Sequence, residues 1–200
     1  MTNVLLALST GAKIGIGAGV GAAVLLVIIF IIIWVKCYNT LLRLKNQVEE
    51  AWSTIDVQLK KRYDLIPNLV ETVKGYAKHE SGTLEAVIKA RNVAISAKTT
   101  GEKIDAENAL SGTLKSLFKL QEAYPQLKAN QNFMDLQKQL RDIEDEIASA
   151  RRYYNAVVRE FNTRLQIFPS NIVARRMRLE KQKYFELDSE EERKNVKVQF

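Results

Sequence analysis

The sequence predicts an all-α protein: an N-terminal transmembrane helix followed by an antiparallel up-and-down four-helix bundle. Three observations lead there. Residues 14–35 form one apolar run without a charge. Beyond it, apolar residues recur at alternating three- and four-residue steps, the period of an amphipathic helix. Turn chemistry is sparse, with three prolines in the whole chain and four glycines after Gly21. Four apolar stripes joined by short links bury one another best as an up-and-down bundle.

The apolar run from Ile14 to Val35 holds 22 residues, and a hydrocarbon core of about 30 Å takes about 20 helical residues to span. A cleaved signal peptide has a shorter apolar core of about 7–15 residues that ends in small residues. Here the run ends in bulky Ile33-Trp34-Val35, and the lysine directly before Cys37 is foreign to a lipid-attachment signal. An uncleaved anchor at 14–35 is therefore expected. It divides a short flank, 1–13, from a bundle at 36–168 and a basic then acidic tail at 169–200.

Of the 30 basic residues only Lys13 precedes the anchor, leaving 29 beyond it against all 23 acids. That mild excess suits an anionic membrane surface and does not by itself call for nucleic acid. Lys36, Arg43 and Lys45 follow the anchor, whereas Lys13 and the terminal amine precede it. The positive-inside rule then puts the short N-terminus outside and the helical body in the cytoplasm. A single cysteine excludes an internal disulfide framework.

Gly11, Gly15 and Gly19 recur every four residues, and Gly17 and Gly21 repeat the spacing. Small residues at this interval share one side of a helix and let a second backbone approach closely. Homo-oligomerisation through the membrane helix is the expectation.

The first run outside the anchor reads Leu41, Leu44, Val48, Trp52, Ile55, Leu59, Tyr63, with no Gly or Pro between it and Lys36. It is expected to continue the membrane helix and to end before Pro67, which restricts Ile66 and suits the first turn of a second helix. The second run is Leu69, Val73, Tyr76 or Ala77, Leu84, Val87 or Ile88, Ile95, with Gly75 and Ser81-Gly82 as points of interruption. The third, Ala106, Leu110, Leu114, Leu117, Leu120 or Gln121, Tyr124, follows the turn-like 98–101 and closes or kinks at Pro125. The fourth runs from Phe133 through Leu140, Ile147, Tyr154 and Phe161 to Phe168, after capping asparagines and before Pro169. In this topology the tips at 64–67 and 124–131 lie farthest from the bilayer. Leu65, Ile66 and Pro67 are then a candidate distal docking tip. The tail returns to the membrane with Arg175, Arg176, Arg178, Lys181 and Lys183. With Lys36, Arg43 and Lys45 these are candidate contacts to anionic head groups, at roughly 1 kcal/mol per residue at the surface.

Catalytic chemistry finds no foothold. His79 is the lone histidine, and Tyr76 stands where a Glu-x-x-His metal motif needs its glutamate. A lone Cys and a lone His far apart make no zinc site and a weak nucleophile pair. Ser116 and Lys119 share a helix face as a Ser-x-x-Lys spacing, which chance explains better. No phosphate loop or dinucleotide fingerprint occurs. No catalytic residue, cofactor, metal, small-molecule substrate or nucleic-acid partner is assigned. Asp56, Asn155 and Asn162 stand at the stripe edges, where satisfied polar groups can fix helix register.

Particular stretches also resemble the LemA family. They are Tyr38-Asn39-Thr40-Leu41, Ile55-Asp56-Val57-Gln58-Leu59, Tyr63 through Val70 and Val73 through Glu80. Ala123-Tyr124-Pro125, Phe133 with Leu136-Gln137, Ala150 through Asn155, Phe161-Asn162 and Phe168-Pro169 belong with them. The resemblance spans residues 38–174, with weaker likeness at Tyr184-Phe185-Glu186 and Val196-Lys197-Val198. It implies a bacterial single-pass membrane protein with a small external N-terminus and a helical-bundle body, and brings no established catalytic residue, cofactor or substrate. The glycine ladder and the basic stretch at Arg175 depart from the family's pattern. The functional expectation is a non-enzymatic, self-assembling scaffold at the cell membrane that contacts lipid. A sensory or regulatory adaptor acting on an unidentified protein partner is the alternative, and an enzyme ranks last.

Overall fold

The computed structural model describes the backbone of residues 2–186 and the side chains of residues 21–186. Among these residues six helices follow in order: α1 Thr2–Lys74, α2 Ser81–Ser96, α3 Thr100–Ala123, α4 Pro125–Ala129, α5 Gln131–Arg164 and α6 Ser170–Arg176. No strand occurs among the described residues. The chain divides into two compact units, one of residues 1–46 and 161–181, the other of residues 47–160 with those from 182 on.

Helix α1 does not end before Pro67, as the sequence suggests, but runs through it to Lys74. Proline inside a helix deprives the carbonyl four residues back of its donor. Here that carbonyl belongs to Tyr63, and the Nε of Arg91 on α2 donates to it at 2.7 Å. A neighbouring helix thus replaces the missing bond, so the helix need not stop. The break falls at 75–80 instead, where Tyr76 and Ala77 both donate to the Val73 carbonyl. Leu65, Ile66 and Pro67 consequently sit inside α1 rather than in a link; Ile66 is fully buried.

The other helix ends follow local chemistry. Thr99 caps α3 in a reciprocal box with Glu102, whose carboxylate accepts from the Thr99 and Lys98 amides. Those amides hold the Glu102 carboxyl below its ordinary value. Pro125 opens α4 at a position where its absent N–H is not needed. Asn130 accepts from the Phe133 amide at 2.9 Å and so caps α5. It also donates to the Tyr76 hydroxyl at 2.8 Å, while the Tyr124 hydroxyl donates to Glu80 at 3.3 Å. The turn at 75–80 and the connection at 124–130 are therefore joined.

In the first unit, Leu41 packs with Val173 and Ala174 of α6, flanked by Trp34, Cys37, Leu165, Met177 and Leu179. Helix α6 was not legible as a helix in the tail. It ends in a Schellman motif: Leu179 donates to Ala174 and Arg178 to Arg175. Arg178 takes the left-handed position there at φ 54°, at a strain of about 1 kcal/mol for a residue with a Cβ.

The second unit buries Ala51, Ile55, Leu59, Ile66 and Leu69 of α1, Leu84 and Val87 of α2, Ile104, Leu110 and Leu117 of α3, and Phe133, Leu140, Ile147 and Tyr154 of α5. The α5 residues stand seven apart, two helical turns each, which keeps one face turned inward.

Candidate functional site

Among the described residues of the second unit, Arg62 on α1 is a fully buried polar group. It falls three residues after Leu59 and four before Ile66, on the apolar stripe itself. Its guanidinium pairs with Glu107 of α3 and Glu144 of α5, and Nη1 also donates to the Ser111 hydroxyl at 3.2 Å. The Tyr63 hydroxyl donates to the other oxygen of Glu107. Arg62 and Glu107 are fully buried; the Glu144 side chain is 37% exposed. Burial, then the Glu107 carboxylate beside it, pushes the Tyr63 hydroxyl up, so it stays a neutral donor. Removing two charges from water is costly, and mutual attraction repays it only with good geometry. The planar fork of Arg meets that condition by binding two carboxylates on two helices at once.

A second construction secures the chain after α6. Asn155 on α5 clamps the backbone of Phe185, donating to its carbonyl at 3.0 Å and accepting from its amide at 2.8 Å. The Tyr154 hydroxyl donates to the Lys183 carbonyl and Asn108 to that of Glu186. The Phe185 ring lies 6.0 Å from Trp52 and 4.2 Å from the Arg151 guanidinium. Burial pushes the Tyr154 hydroxyl up to about 12.

The residues singled out from sequence fall as follows. Asp56 pairs with Lys103 of α3 at a half-exposed position. Asn155 holds Phe185, and the backbone carbonyl of Asn162, a buried residue, accepts from Gln166. Lys36, Arg43, Lys45, Arg175, Arg176, Arg178 and Lys181 are exposed in the first unit. Lys183 belongs to the second, where it pairs with Asp105 at 2.8 Å. Gly11, Gly15, Gly17 and Gly19 lie in α1, but their surroundings lie outside the described residues; a Cβ on Gly21 would meet open space. The Ser116 hydroxyl donates to the Gly112 carbonyl, which leaves the Ser116–Lys119 spacing without a dyad.

Arg62, Glu107 and Glu144 were missed, although a signal existed. Each interrupts an apolar stripe at a core position: Glu107 three after Ile104, Glu144 four after Leu140 and three before Ile147. A charge in three stripes at once marks a shared partner. The clamp on Phe185 left no such signal, because it reads backbone atoms.

Two of the depressions on the second unit lie between helices. One, of about 880 Å³, runs between the end of α1 and α2 along Pro67, Val70, Leu84, Ile88 and Val93, with Lys74, Lys78 and Lys89 at its edge. The other, of about 460 Å³, lies between α3 and α5. Among the described residues no cluster of His, Cys, Asp or Glu is arranged to hold a metal.

These features define the class: an all-helical protein with an N-terminal apolar helix long enough to cross a membrane. Within that class the chain belongs to the LemA family, whose model matches residues 51–200. It is similar to Protein LemA of Metamycoplasma hominis, with 28% identity over 145 residues, covering 70% of this chain and 65% of that relative. The chain thus spans slightly less than two thirds of that relative's length.

Proposed function

We propose that this protein is a single-pass membrane scaffold without enzymatic activity, anchored by residues 14–35 and assembled into homo-oligomers. One observation carries the anchoring. From Val24 to Ile33 every large apolar side chain is 42–67% exposed, yet the same helix buries a continuous stripe from Leu41 onward. Water does not tolerate ten such side chains in a row on one helix, and a bilayer does. The hydrogen bonds joining 75–80 to 124–130 support an antiparallel up-and-down order for the helices that follow. The exposed basic residues of the first unit suit anionic head groups, and the positive-inside rule favours a cytoplasmic body.

The anchor is tested by alkaline extraction of membranes, which should leave the full chain in the pellet. Release into the supernatant, or a chain shortened by cleavage near Val35, overturns it. A reporter active on one side only, fused after Phe200, tests the sidedness. Gly15→Leu with Gly19→Leu should reduce oligomer size in native mass spectrometry, and an unchanged size removes the glycine ladder from the scaffold. The unbroken helix from Lys36 to Asn46 favours a second reading, an adaptor that passes a membrane signal to a partner. A monomer that stoichiometrically holds another protein would select it.

A further inference from the structure

The cleft between α3 and α5 is lined by two groups that accept hydrogen bonds from the buried Arg62. Its walls are Leu114, Phe118 and Leu140, and its floor includes Ser111 and Glu144, the two acceptors of Arg62 Nη1. Lys115 and Arg141 stand exposed at its edge, and neither pairs with an acid among the described residues. Apolar walls with a few convergent polar groups, set between helices, are the usual make-up of a small-molecule site. At about 460 Å³ the cleft lies at the lower end of the range for such sites, which suits one acyl chain rather than the two of a bilayer phospholipid.

The charges indicate the sign of the ligand. Arg62 is one cation shared by two carboxylates. Glu107 is fully buried and held a second time by Tyr63, so it is fixed. Glu144 is 37% exposed, on a flexible stem, at the cleft. It is the acceptor that an incoming acid can replace, while the two basic residues at the edge offset the added negative charge. The Arg62 Nε is also buried without a hydrogen-bond partner.

We propose that this cleft binds a single-chain amphiphile with an acidic head group. The chain lies along Leu114, Phe118 and Leu140, and the carboxylate or phosphate head is held by Lys115 and Arg141, in competition with Glu144 for Arg62. The site does not depend on the scaffold reading and can stand or fall without it.

The test uses the full chain in a non-ionic detergent, with dodecanoate, dodecyl phosphate or neutral monododecanoylglycerol added, read by native mass spectrometry. One acidic amphiphile per chain should be retained and the neutral one lost. Replacing both Lys115 and Arg141 by Ala should weaken retention about tenfold or more, in line with two lost charge-assisted contacts. Both residues are exposed, so helical circular dichroism should not change. Glu144→Gln should strengthen retention several-fold, because it keeps the shape and removes the competing charge. Adsorption to the apolar anchor would leave the parent and both variants alike. Equal retention of the neutral amphiphile, no response to the Lys115/Arg141 change, or weaker binding by Glu144→Gln each overturns the proposal. Preference for dodecyl phosphate assigns the ligand to lipid head-group chemistry, and preference for dodecanoate to a free fatty acid; either keeps the site.

Discussion

Two stretches of the same helix obey opposite rules. Between Val24 and Ile33 α1 is apolar on every side and exposes all of it; between Gln47 and Val73 it is amphipathic and buries one stripe almost completely. No proline, glycine or cap separates them. A helix satisfies its own backbone wherever it goes, so one continuous ladder can serve two environments, and only the side chains record which is which. The difference teaches that the first stretch draws its stability from whatever surrounds it, the second from Glu107, Tyr154 and their neighbours.

Substitutions in the two stretches can break or sharpen that contrast. The largest effect is expected at Arg62. Arg62→Met leaves Glu107 buried without its cation and should lower unfolding stability by about 3–5 kcal/mol, read by denaturant titration in neutral detergent. Adding Glu107→Leu should restore most of the loss; no restoration means the pair is not its source.

Next comes plain packing. Ile55→Ala should cost about 2–5 kcal/mol, whereas Ile29→Ala should stay within about 0.5 kcal/mol of the parent. Equal losses in the same titration would erase the distinction between the two stretches.

A smaller effect is expected around Pro67. Arg91→Ala strands the Tyr63 carbonyl and should cost about 1–3 kcal/mol. In a Pro67→Ala background the restored amide takes that carbonyl, so the same change should cost much less. A double-mutant cycle measures the difference, and additive losses would mean that Arg91 does something other than relieve the proline.

The smallest effect lies at the alkaline edge. Burial raises Tyr154 from 10.0 to about 12. The folded state holds this proton more tightly than the unfolded one, so the contribution is whole below pH 10 and fades as pH rises towards 12. Alkaline unfolding followed by phenolate absorbance should show this limb, and Tyr154→Phe should lessen its slope, the raised Tyr63 keeping the rest.

Much of the fold was legible in residue order. The stripe from Leu41 to Tyr63, the cap before Phe133, the role of Pro125 and the family all follow from spacing and local chemistry. Pro67 was misread because its effect depends on Arg91, 24 positions away. The candidate site was less legible. Asp56 and Asn155 stood out as polar residues at stripe edges, yet Asn155 serves the tail and Asp56 a surface pair. Arg62, the residue that joins three helices, looked like one more basic residue between Lys61 and Tyr63.

By itself, then, the sequence determined what is local or periodic: an apolar helix of membrane-spanning length, long amphipathic helices after it, and the cap before Phe133. These need only neighbours within a few residues, since helical hydrogen bonds and stripes repeat every three or four positions. Tertiary structure decided where α1 stops, that part of the tail forms α6 against Leu41, and that Arg62, Glu107 and Glu144 meet beside a cleft. Each of those outcomes joins groups tens of residues apart, and no local pattern specifies which distant carbonyl, carboxylate or ring a side chain will find.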